Sequence, residues 1–360
     1  MMTTSTPAPV VAPITAPVIA IDVMGGDAGL PGVLAAADTA CERYPRLNFR
    51  LHGPEPRIQE ALAALPRLAA RAEVVHTDDV VLGTDKPSQA LRRSRTSSMG
   101  MAIQSVKDGH AHAAVSAGNM GALMALSLFS LRTMPGIDRP ALAALLPTLK
   151  NDSVVLDLGA NTECDSENLV QFAIMGAAFA RTVLGLDRPR VGLLNIGEEE
   201  LKGTEEIRDA AALLRGADLP MDFKGFVEGD KIGKGDVDVI VTDGFSGNIA
   251  LKTAEGTARL VIGLLGEAFR SSLMSKLGFL LSRGALRALR AHLDPNAHNG
   301  AVFLGLNGLV VKSHGSASAE GIANAIGVAH DLVVDNVGDR IAHDLANFSA
   351  HRPQPMVASS

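Results

Sequence analysis

The feature that most constrains the fold of this chain is a pattern that recurs along it. A short aliphatic run breaks into glycine and small polar residues, and an amphipathic segment follows. The stretch VDVIVTDGFSGNIALK (237–252) shows the whole pattern. Aliphatic runs that alternate with helical periodicity are typical of βαβ units, in which helices cover both faces of a mainly parallel sheet. The sequence therefore predicts an α/β fold.

The predicted elements fill the chain without a break that would separate two domains. Strands are predicted at 18–23, 48–52, 73–76, 112–115, 153–158, 190–195, 237–242 and 308–312, and helical periodicity occurs near 31–43, 87–107, 120–132, 168–184, 204–215, 249–270 and 318–347. A chain of 360 residues can bury the core of one large domain. We predict a single domain over 18–349, with disordered tails at 1–17 and 350–360.

Composition excludes several classes of protein. Hydrophobic residues make up 47% of the chain, which argues against disorder, and a net charge of −6 argues against a general nucleic-acid binder. Cys41 and Cys164 are too few for a metal or disulfide framework. No apolar run approaches the roughly 20 residues of a membrane-spanning helix. Neither GxxxxGK[ST] nor GxGxxG is present, so the common nucleotide fingerprints are disfavoured.

Glycine-rich breaks after the strands provide the candidate ligand site. They lie at 22–27, 115–122, 156–163, 193–203, 241–248 and 311–320. Ligands of open parallel α/β sheets bind beyond the carboxyl ends of the strands, where glycine admits close approach and helix N-termini attract anions. One break alone is more often a turn or a helix cap, but together they predict one polar cavity suited to phosphate. The candidate phosphate-binding residues are Gly25, Gly26, Asp27, Ser116, Gly118, Asn119, Asn161, Asp243, Ser246 and Ser313.

Nine blocks of the sequence together resemble the PlsX family of bacterial phosphate acyltransferases. The longest are RVGLLNIGEEELKGTE, VTDGFSGNIALKTAEG and GLNGLVVKSHGSASA, and the resemblance covers about 18–335 in the family's order. It implies a three-layer αβα sandwich with a Rossmann-like sheet, similar to phosphotransacetylases, and a homodimer. It also implies transfer of a fatty acyl group from acyl carrier protein to inorganic phosphate, which forms acyl phosphate for phospholipid synthesis. No cofactor, metal or nucleic-acid partner is expected.

Three residues are predicted to be catalytic. Phosphate must attack a thioester carbonyl, so the protein has to hold phosphate and stabilise an oxyanion. Lys202, the one cation among five glutamates, is either a phosphate ligand or part of a solvated charge run. Asn248 is either a donor to the developing charge or a helix cap. His314, between Ser313 and Gly315, is equally suited to proton handling or to a structural role.

Two other side chains have predicted roles beside the chemistry. Asp157 is expected to cap a helix or to position neighbouring donors, as is Asp27. Cys164 invites an acyl-enzyme hypothesis, but no basic partner is near it in sequence, so a packing role is favoured.

Residues 257–295 are predicted to form an amphipathic helical pair that carries five basic residues and one acidic residue between 261 and 293. The pair either completes the core with a solvated basic face or protrudes and docks on an anionic membrane or an acidic partner. In the second case Leu277, Phe279, Leu280, Leu286 and Leu289 should be partly exposed. The predicted docking residues for membrane or acyl carrier protein are Arg92, Arg93, Arg95, Arg283, Arg287 and Arg290.

The predicted location is therefore the cytoplasm, with peripheral attachment to the membrane near the acyltransferase that consumes acyl phosphate. Two other functions remain open from the sequence. One is a phosphotransacetylase that uses acyl-coenzyme A, and the other is a non-catalytic membrane-bound scaffold for lipid enzymes.

Overall fold

The computed structural model describes residues 14–350 except Leu293 and Pro295. Of the two predicted tails, residues 1–13 and 351–360 lie outside this range, as does the side chain of Arg290. All statements below concern the described residues.

One sheet of eleven strands organises the molecule. In chain order the strands are β1 (Val18–Asp22), β2 (Asn48–Gly53), β3 (Ala72–His76), β4 (Ala113–Ser116), β5 (Ala141–Pro147), β6 (Asp152–Leu156), β7 (Arg190–Asn195), β8 (Asp222–Glu228), β9 (Val239–Val241), β10 (Ala301–Leu304) and β11 (Leu309–Lys312). Their order across the sheet is β3-β2-β1-β4-β11-β10-β5-β6-β9-β7-β8. The eight predicted strands are confirmed, whereas β5, β8 and β10 were not predicted.

Two of the three unpredicted strands, β5 and β10, change the direction of the sheet. Neighbours from β3 to β11 are parallel, and so are neighbours from β6 to β8. Between them, β10 is antiparallel to β11 and β5, and β5 is antiparallel to β6. Three reversals leave β6 running opposite to β11. The carboxyl ends of the strands in the two halves therefore emerge at opposite edges of the sheet, whereas the sequence predicted one cavity for all six breaks.

Helices cover both faces of the sheet. They are α1 (Gly29–Arg43), α2 (Glu55–Leu62), α3 (Pro66–Ala69), α4 (Pro87–Arg92), α5 (Ser98–Lys107), α6 (Met120–Leu131), α7 (Ser166–Val183), α8 (Glu205–Gly216), α9 (Gly244–Arg270), α10 (Leu273–His292), α11 (Ala319–Val334) and α12 (Val337–Ala350), with a 3₁₀ helix at Gly229–Lys234. Alternate strand residues face opposite cores: Ile19 and Ile21 belong to the core that contains α1, α7 and α11, whereas Ala20 belongs to the core that contains α5 and α6. The three-layer αβα sandwich is confirmed.

Several helix boundaries differ from the prediction. The helical segment near 318–347 is divided at Asn336, whose φ of 50° lies in the left-handed region that a helix cannot continue through. The segment near 87–107 is divided into α4 and α5. Helix α9 begins at Gly244, five residues earlier than predicted, with Asp243 as its N-cap.

Helices α9 and α10 pack against each other and lie largely outside the sandwich. Only Gly244 and Gly247 of α9 are buried, and Phe269 contacts Phe279 edge to face at 5.5 Å between ring centroids. Leu280 is 61% exposed. Leu277, Phe279 and Leu289 are also exposed, and Leu286 is half-buried. Among the described helices, none has the length and apolar character needed to cross a bilayer.

Candidate active site

The loops after β1, β4 and β11 meet at one edge of the sheet, and we call them the first loop cluster. A Cβ placed on Gly25 would lie 2.7 Å from the main-chain N of Gly118, so these two loops approach as closely as glycine permits. Gly26, with φ of 85°, lies equally close to Ala117. The main-chain N–H of Asp27 donates to the carbonyl of Gly315 at 2.8 Å. Three of the six predicted loops therefore meet here, whereas the loops after β6 and β9 lie at the opposite edge of the sheet.

Asp22, the last residue of β1, anchors the first loop cluster from below. Its carboxylate accepts hydrogen bonds from Ser98 Oγ at 2.6 Å, Ser116 Oγ at 2.7 Å and the main-chain N of Met24 at 3.3 Å. Asp22 is 3% exposed, and burial raises its pKa despite these donors. Ser116 Oγ in turn accepts from Gly118 N. Ser116 therefore links the buried carboxylate to the turn above it.

The turn after β4 leads into helix α6 and leaves several main-chain N–H groups without a hydrogen-bond acceptor. Asn119 caps the helix by accepting from Ala122 N, and its amide donates to carbonyls of the 82–85 loop. The main-chain N–H groups of Asn119, Met120 and Gly121 have no acceptor within the described residues. Open N–H groups at a helix N-terminus attract anions. The side chain of Asn119 thus holds the turn in place, while its main-chain N–H remains available to a ligand.

His314 lies beside this turn with a defined neutral tautomer. Ser316 N donates to His314 Nδ1 at 3.3 Å, so Nδ1 is an acceptor and the proton of the neutral ring is on Nε2. Burial lowers the pKa of His314, and Lys252 on α9 lowers it further, so the ring is neutral at pH 7. Ser313 is fully buried, and its hydroxyl accepts from Asn299. His314 can therefore donate from Nε2, whereas Ser313 faces the interior.

A second loop cluster follows β6 and β9 and is built around Asp157. This buried carboxylate accepts from the main-chain N of Leu142, Gly159, Ala160 and Asn161 and from the amide of Asn161. Burial raises the pKa of Asp157, and these donors oppose the rise. Asn161 Nδ2 also donates to the carbonyl of Pro140, so both of its protons are used within the loop. Asp157 has the positioning role expected from the sequence.

Helix α9 begins directly against the second loop cluster. Gly244 N donates to the carbonyl of Asn161 at 2.7 Å, and a Cβ on Gly247 would lie 1.9 Å from the carbonyl oxygen of Asp157. The cap is Asp243, which accepts from Ser246 N at 2.8 Å. Asn248 is therefore not a cap. It is exposed, its Cβ lies 3.6 Å from the Cβ position of Gly159, and its amide makes no hydrogen bond to any described residue.

Helix α9 connects the two clusters. Lys252 lies one helical turn after Asn248, about 6 Å along the axis. It influences the ionisation of both His314 and Lys312, which places it beside the first loop cluster. Glu255 forms salt bridges with Lys252 at 3.0 Å and with Arg259 at 3.8 Å. One face of α9 thus extends from the loop after β6 to the loop after β11, although the strands point in opposite directions.

Lys202 lies on an exposed turn after β7, the neighbour of β9. Its stem packs over Gly197, where a Cβ would approach Lys202 Cγ to 2.9 Å. Two of the glutamates around it are engaged elsewhere: Glu198 pairs with Lys231, and Glu200 pairs with Arg215 at 3.5 Å. The ammonium of Lys202 has no salt bridge or hydrogen bond in the part of the chain that the structure describes. Its charge is available to a ligand.

The predicted docking arginines differ in their availability. Arg92 and Arg95 are exposed, as are Arg283 and Arg287 on α10. Arg93 is half-buried and forms salt bridges with Asp79 at 2.9 Å and with Asp85. Its guanidinium therefore braces the 79–85 loop.

Cys164 lies near the second loop cluster but is not activated. Burial raises the pKa of its thiol to about 12, and the negative charges of Asp157 and Asp243 contribute. A thiol with this pKa is protonated at pH 7 and is a poor nucleophile.

We expect Cys164→Ser to keep turnover within about twofold of the wild type, because no covalent intermediate on this side chain is needed. Steady-state acyl-phosphate formation measures the effect. Modification of Cys164 by iodoacetamide should be slow below pH 9. Rapid labelling at pH 7 together with inactive Cys164→Ser would contradict this prediction.

Some residues that organise the site were missed by the sequence prediction, namely Asp22, Ser98, Asn299 and Lys312. Asp22 and Lys312 lie in predicted strand-end breaks, whereas Ser98 and Asn299 lie outside them, and only tertiary contacts reveal the partners of all four. No group of three His, Cys, Asp or Glu side chains in residues 14–350, as described, is arranged to hold a metal ion.

Open main-chain N–H groups, a neutral histidine and free polar side chains thus lie in the loops of a three-layer sandwich. The family described as fatty acid synthesis protein matches residues 18–340. A phosphate acyltransferase of Erythrobacter litoralis is 60% identical over 334 residues, which cover 92% of this chain and 94% of that protein. One from Rhodospirillum centenum is 57% identical over 332 residues, with 92% and 94% covered. The chain belongs to this fatty acid synthesis protein family, together with the bacterial phosphate acyltransferases.

Solved structures agree on the fold. The EutD phosphotransacetylase of Staphylococcus aureus matches with a TM-score of 0.58 at 19% identity, covering 88% of this chain and 94% of that one. A phosphotransacetylase of Streptococcus pyogenes matches with a TM-score of 0.59 at 17% identity, covering 89% and 94%. At these identities the likeness concerns the fold alone, and it matches the predicted similarity to phosphotransacetylases.

Proposed function

We propose that this protein transfers a fatty acyl group from acyl carrier protein to inorganic phosphate and so forms acyl phosphate for phospholipid synthesis. The observation that carries the proposal is the first part of α9, where Asn248 lies against the second loop cluster and Lys252, one turn later, influences the ionisation of His314 in the first loop cluster. The family and the names of its relatives support acyl transfer to phosphate.

The proposed reaction needs positioning more than proton transfer. A phosphate oxygen attacks the thioester carbonyl carbon, a tetrahedral oxyanion forms, and the carbon–sulfur bond breaks to release the thiolate. The main-chain N–H groups at the start of α6 bind phosphate, with Gly25, Gly26 and Gly118 allowing close approach. His314 Nε2–H and the Asn248 amide donate to the carbonyl oxygen as it becomes negative, and Lys202 contributes positive charge.

The remaining predicted phosphate residues shape this site. Ser116, Asn119, Asn161, Asp243 and Ser313 hold the turns by the hydrogen bonds described above, and Ser246 lies in the first turn of α9. We assign them to positioning the groups that contact phosphate.

The proposed donor is acidic acyl carrier protein, which requires a cationic surface on an enzyme of net charge −6. Arg92 at the end of α4, Arg95 just after it, and Arg283 and Arg287 on α10 present such charge to solvent. Association through exposed charges weakens with ionic strength. The KM for the acyl carrier protein should therefore rise with salt.

We also propose that α9 and α10 mediate homodimer contacts and peripheral attachment to anionic membrane, close to the acyltransferase that uses the product. Leu260, Leu264, Leu277 and Leu280 are each more than half exposed, and an isolated enzyme would leave this apolar surface in water. The cytoplasm is the proposed location.

The donor assay distinguishes the proposed function from its two alternatives. Purified protein is incubated with labelled phosphate and either palmitoyl-acyl carrier protein or palmitoyl-coenzyme A. We expect labelled acyl phosphate with the first donor at a kcat/KM at least about tenfold higher, since an extended acidic protein can contact more of the exposed arginines than coenzyme A can. Product from the coenzyme A donor alone would indicate a phosphotransacetylase, and no product from either donor would indicate a scaffold.

A further inference from the structure

Three polar residues form a buried row across the ends of β1, β4 and β11. Lys312, the last residue of β11, is paired in register with Ser116 of β4. Ser116 donates to Asp22 of β1 at 2.7 Å. Asp22 and Ser116 are 3% exposed, and Lys312 is 8% exposed. A carboxylate and an ammonium are thus buried on either side of one hydroxyl group.

The stability of the fold does not explain this row. Lys312 and Asp22 form no salt bridge within the described residues, so direct contact does not offset the cost of burying both charges. Burial lowers the pKa of Lys312 to about 8, against the favourable field of Asp22, and burial raises the pKa of Asp22. Apolar side chains of similar volume would fill the same space at lower cost.

The contacts of Lys312 point toward the candidate phosphate turn. Its Nζ donates to the carbonyl oxygen of Ala117 at 3.3 Å and to the carbonyl oxygen of Ser313. Ala117 lies two residues before Asn119, where the open N–H groups begin. A carbonyl oxygen that faced this site would repel an anion. Lys312 holds that oxygen on the interior side and places positive charge directly behind the turn.

We propose that Lys312 is a positioning residue for phosphate, holding the Ala117–Gly118 turn and supplying buried positive charge behind it, with Asp22 as its counter-charge. The inference rests on the proposed function, because it assigns the anion at this turn as the phosphate substrate. The inference adds the positive charge of Lys312 to the site, and this charge acts on phosphate without direct contact.

A buried ammonium of this kind makes phosphate binding depend on pH. The charged groups that face Lys312 are Asp22 on β1 and Lys252 on α9, with His314 on the following loop. Raising the pH through about 8 removes the proton from Lys312 and with it the positive charge. Inorganic phosphate does not lose negative charge as the pH rises through this range, so a fall in its affinity should come from the protein.

The test measures phosphate binding by titration calorimetry at pH 7.5 and 9.5 and, separately, the KM for phosphate in acyl-phosphate synthesis. We expect the wild-type Kd to rise between the two pH values. Lys312→Met should bind phosphate roughly tenfold or more weakly at pH 7.5, the size of one lost charge-assisted interaction, and should no longer respond to pH. Its KM for the acyl donor should be unchanged.

Lys150→Met is the matched control. It removes one lysine charge at an exposed position of the β5–β6 turn, where Lys150 pairs with Asp236 of the loop before β9. This variant should retain both the affinity of the wild type and its pH dependence. A merely structural lysine would lower the melting temperature on replacement without altering the pH profile of phosphate binding.

Asp22→Asn provides a second variant. Without the nearby carboxylate the pKa of Lys312 falls further, so the loss of phosphate affinity should begin at lower pH. The proposal is overturned if Lys312→Met binds phosphate as the wild type does, or if the wild-type Kd is constant from pH 7.5 to 9.5. A constant wild-type Kd would overturn the proposal even if the variants fail to fold. Phosphate binding with this pH profile, but without acyl-phosphate synthesis, would refute the proposed function and support the role of Lys312.

Discussion

Lys202→Ala and Asn248→Ala are each expected to lower the turnover of acyl-phosphate formation by roughly a hundredfold or more. That is the size of losing one preorganised group that stabilises developing charge. The ammonium of Lys202 and the amide of Asn248 have no partner among the described residues, so each is available to the reacting groups. The measurement is steady-state turnover with saturating acyl donor and phosphate.

Matched substitutions distinguish the loss of a catalytic group from the general effect of replacing a surface lysine or asparagine. Lys224→Ala removes a lysine that pairs with Asp222 at 2.6 Å on β8, and Asn151→Ala removes an exposed asparagine from the β5–β6 turn. Both controls should keep near-normal turnover, and all four variants should show the circular dichroism of the wild type. Near-normal turnover in both Lys202→Ala and Asn248→Ala would mean that a charged turn and an exposed helical residue had been mistaken for a site.

The double variant Leu280→Glu with Leu286→Glu is expected to lose binding to anionic vesicles while acyl-phosphate synthesis in solution stays largely intact. Leu280 is 61% exposed and Leu286 is half-buried on α10, with Arg283 and Arg287 beside them. Anionic lipid attracts each nearby basic residue by about 1 kcal/mol, and this attraction assists shallow insertion of the apolar side chains. Two carboxylates would oppose both the attraction to anionic lipid and the insertion of apolar side chains. Co-sedimentation with liposomes measures the binding.

The control introduces the same charge elsewhere. Leu149→Glu with Ala69→Glu adds two carboxylates at exposed positions of the sandwich, and this variant should sediment with vesicles as the wild type does. Unfolding of the α10 variant would show that the helices are part of the core. Unchanged vesicle binding by a folded α10 variant would place the membrane contact on another surface.

Local sequence signals were reliable where pattern and propensity agreed. The strands VIAID and VIV are β-branched and aliphatic, and both were predicted. The unpredicted strand β5 reads ALAALLP, a composition that favours helix, and it is a strand because it lies between β10 and β6 in the sheet. Strand β8 contains Gly225 at φ of 85°, and its pairing with β7 shifts register, which interrupts the alternating pattern.

The candidate site was predictable to a similar degree. Glycines and small polar residues after strands could be assigned to ligand-binding loops because close approach and helix N-termini favour anions whatever the surrounding fold. The roles of individual side chains were less accessible. Asn248 was weighed as a cap, but helix α9 begins at Gly244 and Asp243 has that role.

The sequence by itself determined the α/β class, the family and the loops that carry the candidate site, because periodicity and glycine-rich turns are properties of neighbouring residues. Tertiary structure alone decided that β10 and β5 reverse the sheet and that α9 bridges its two halves. It also decided that Asp22 and Lys312 are buried under one turn. These features join residues as far apart as Asp22 and Lys312, and no local pattern records which distant strands become neighbours.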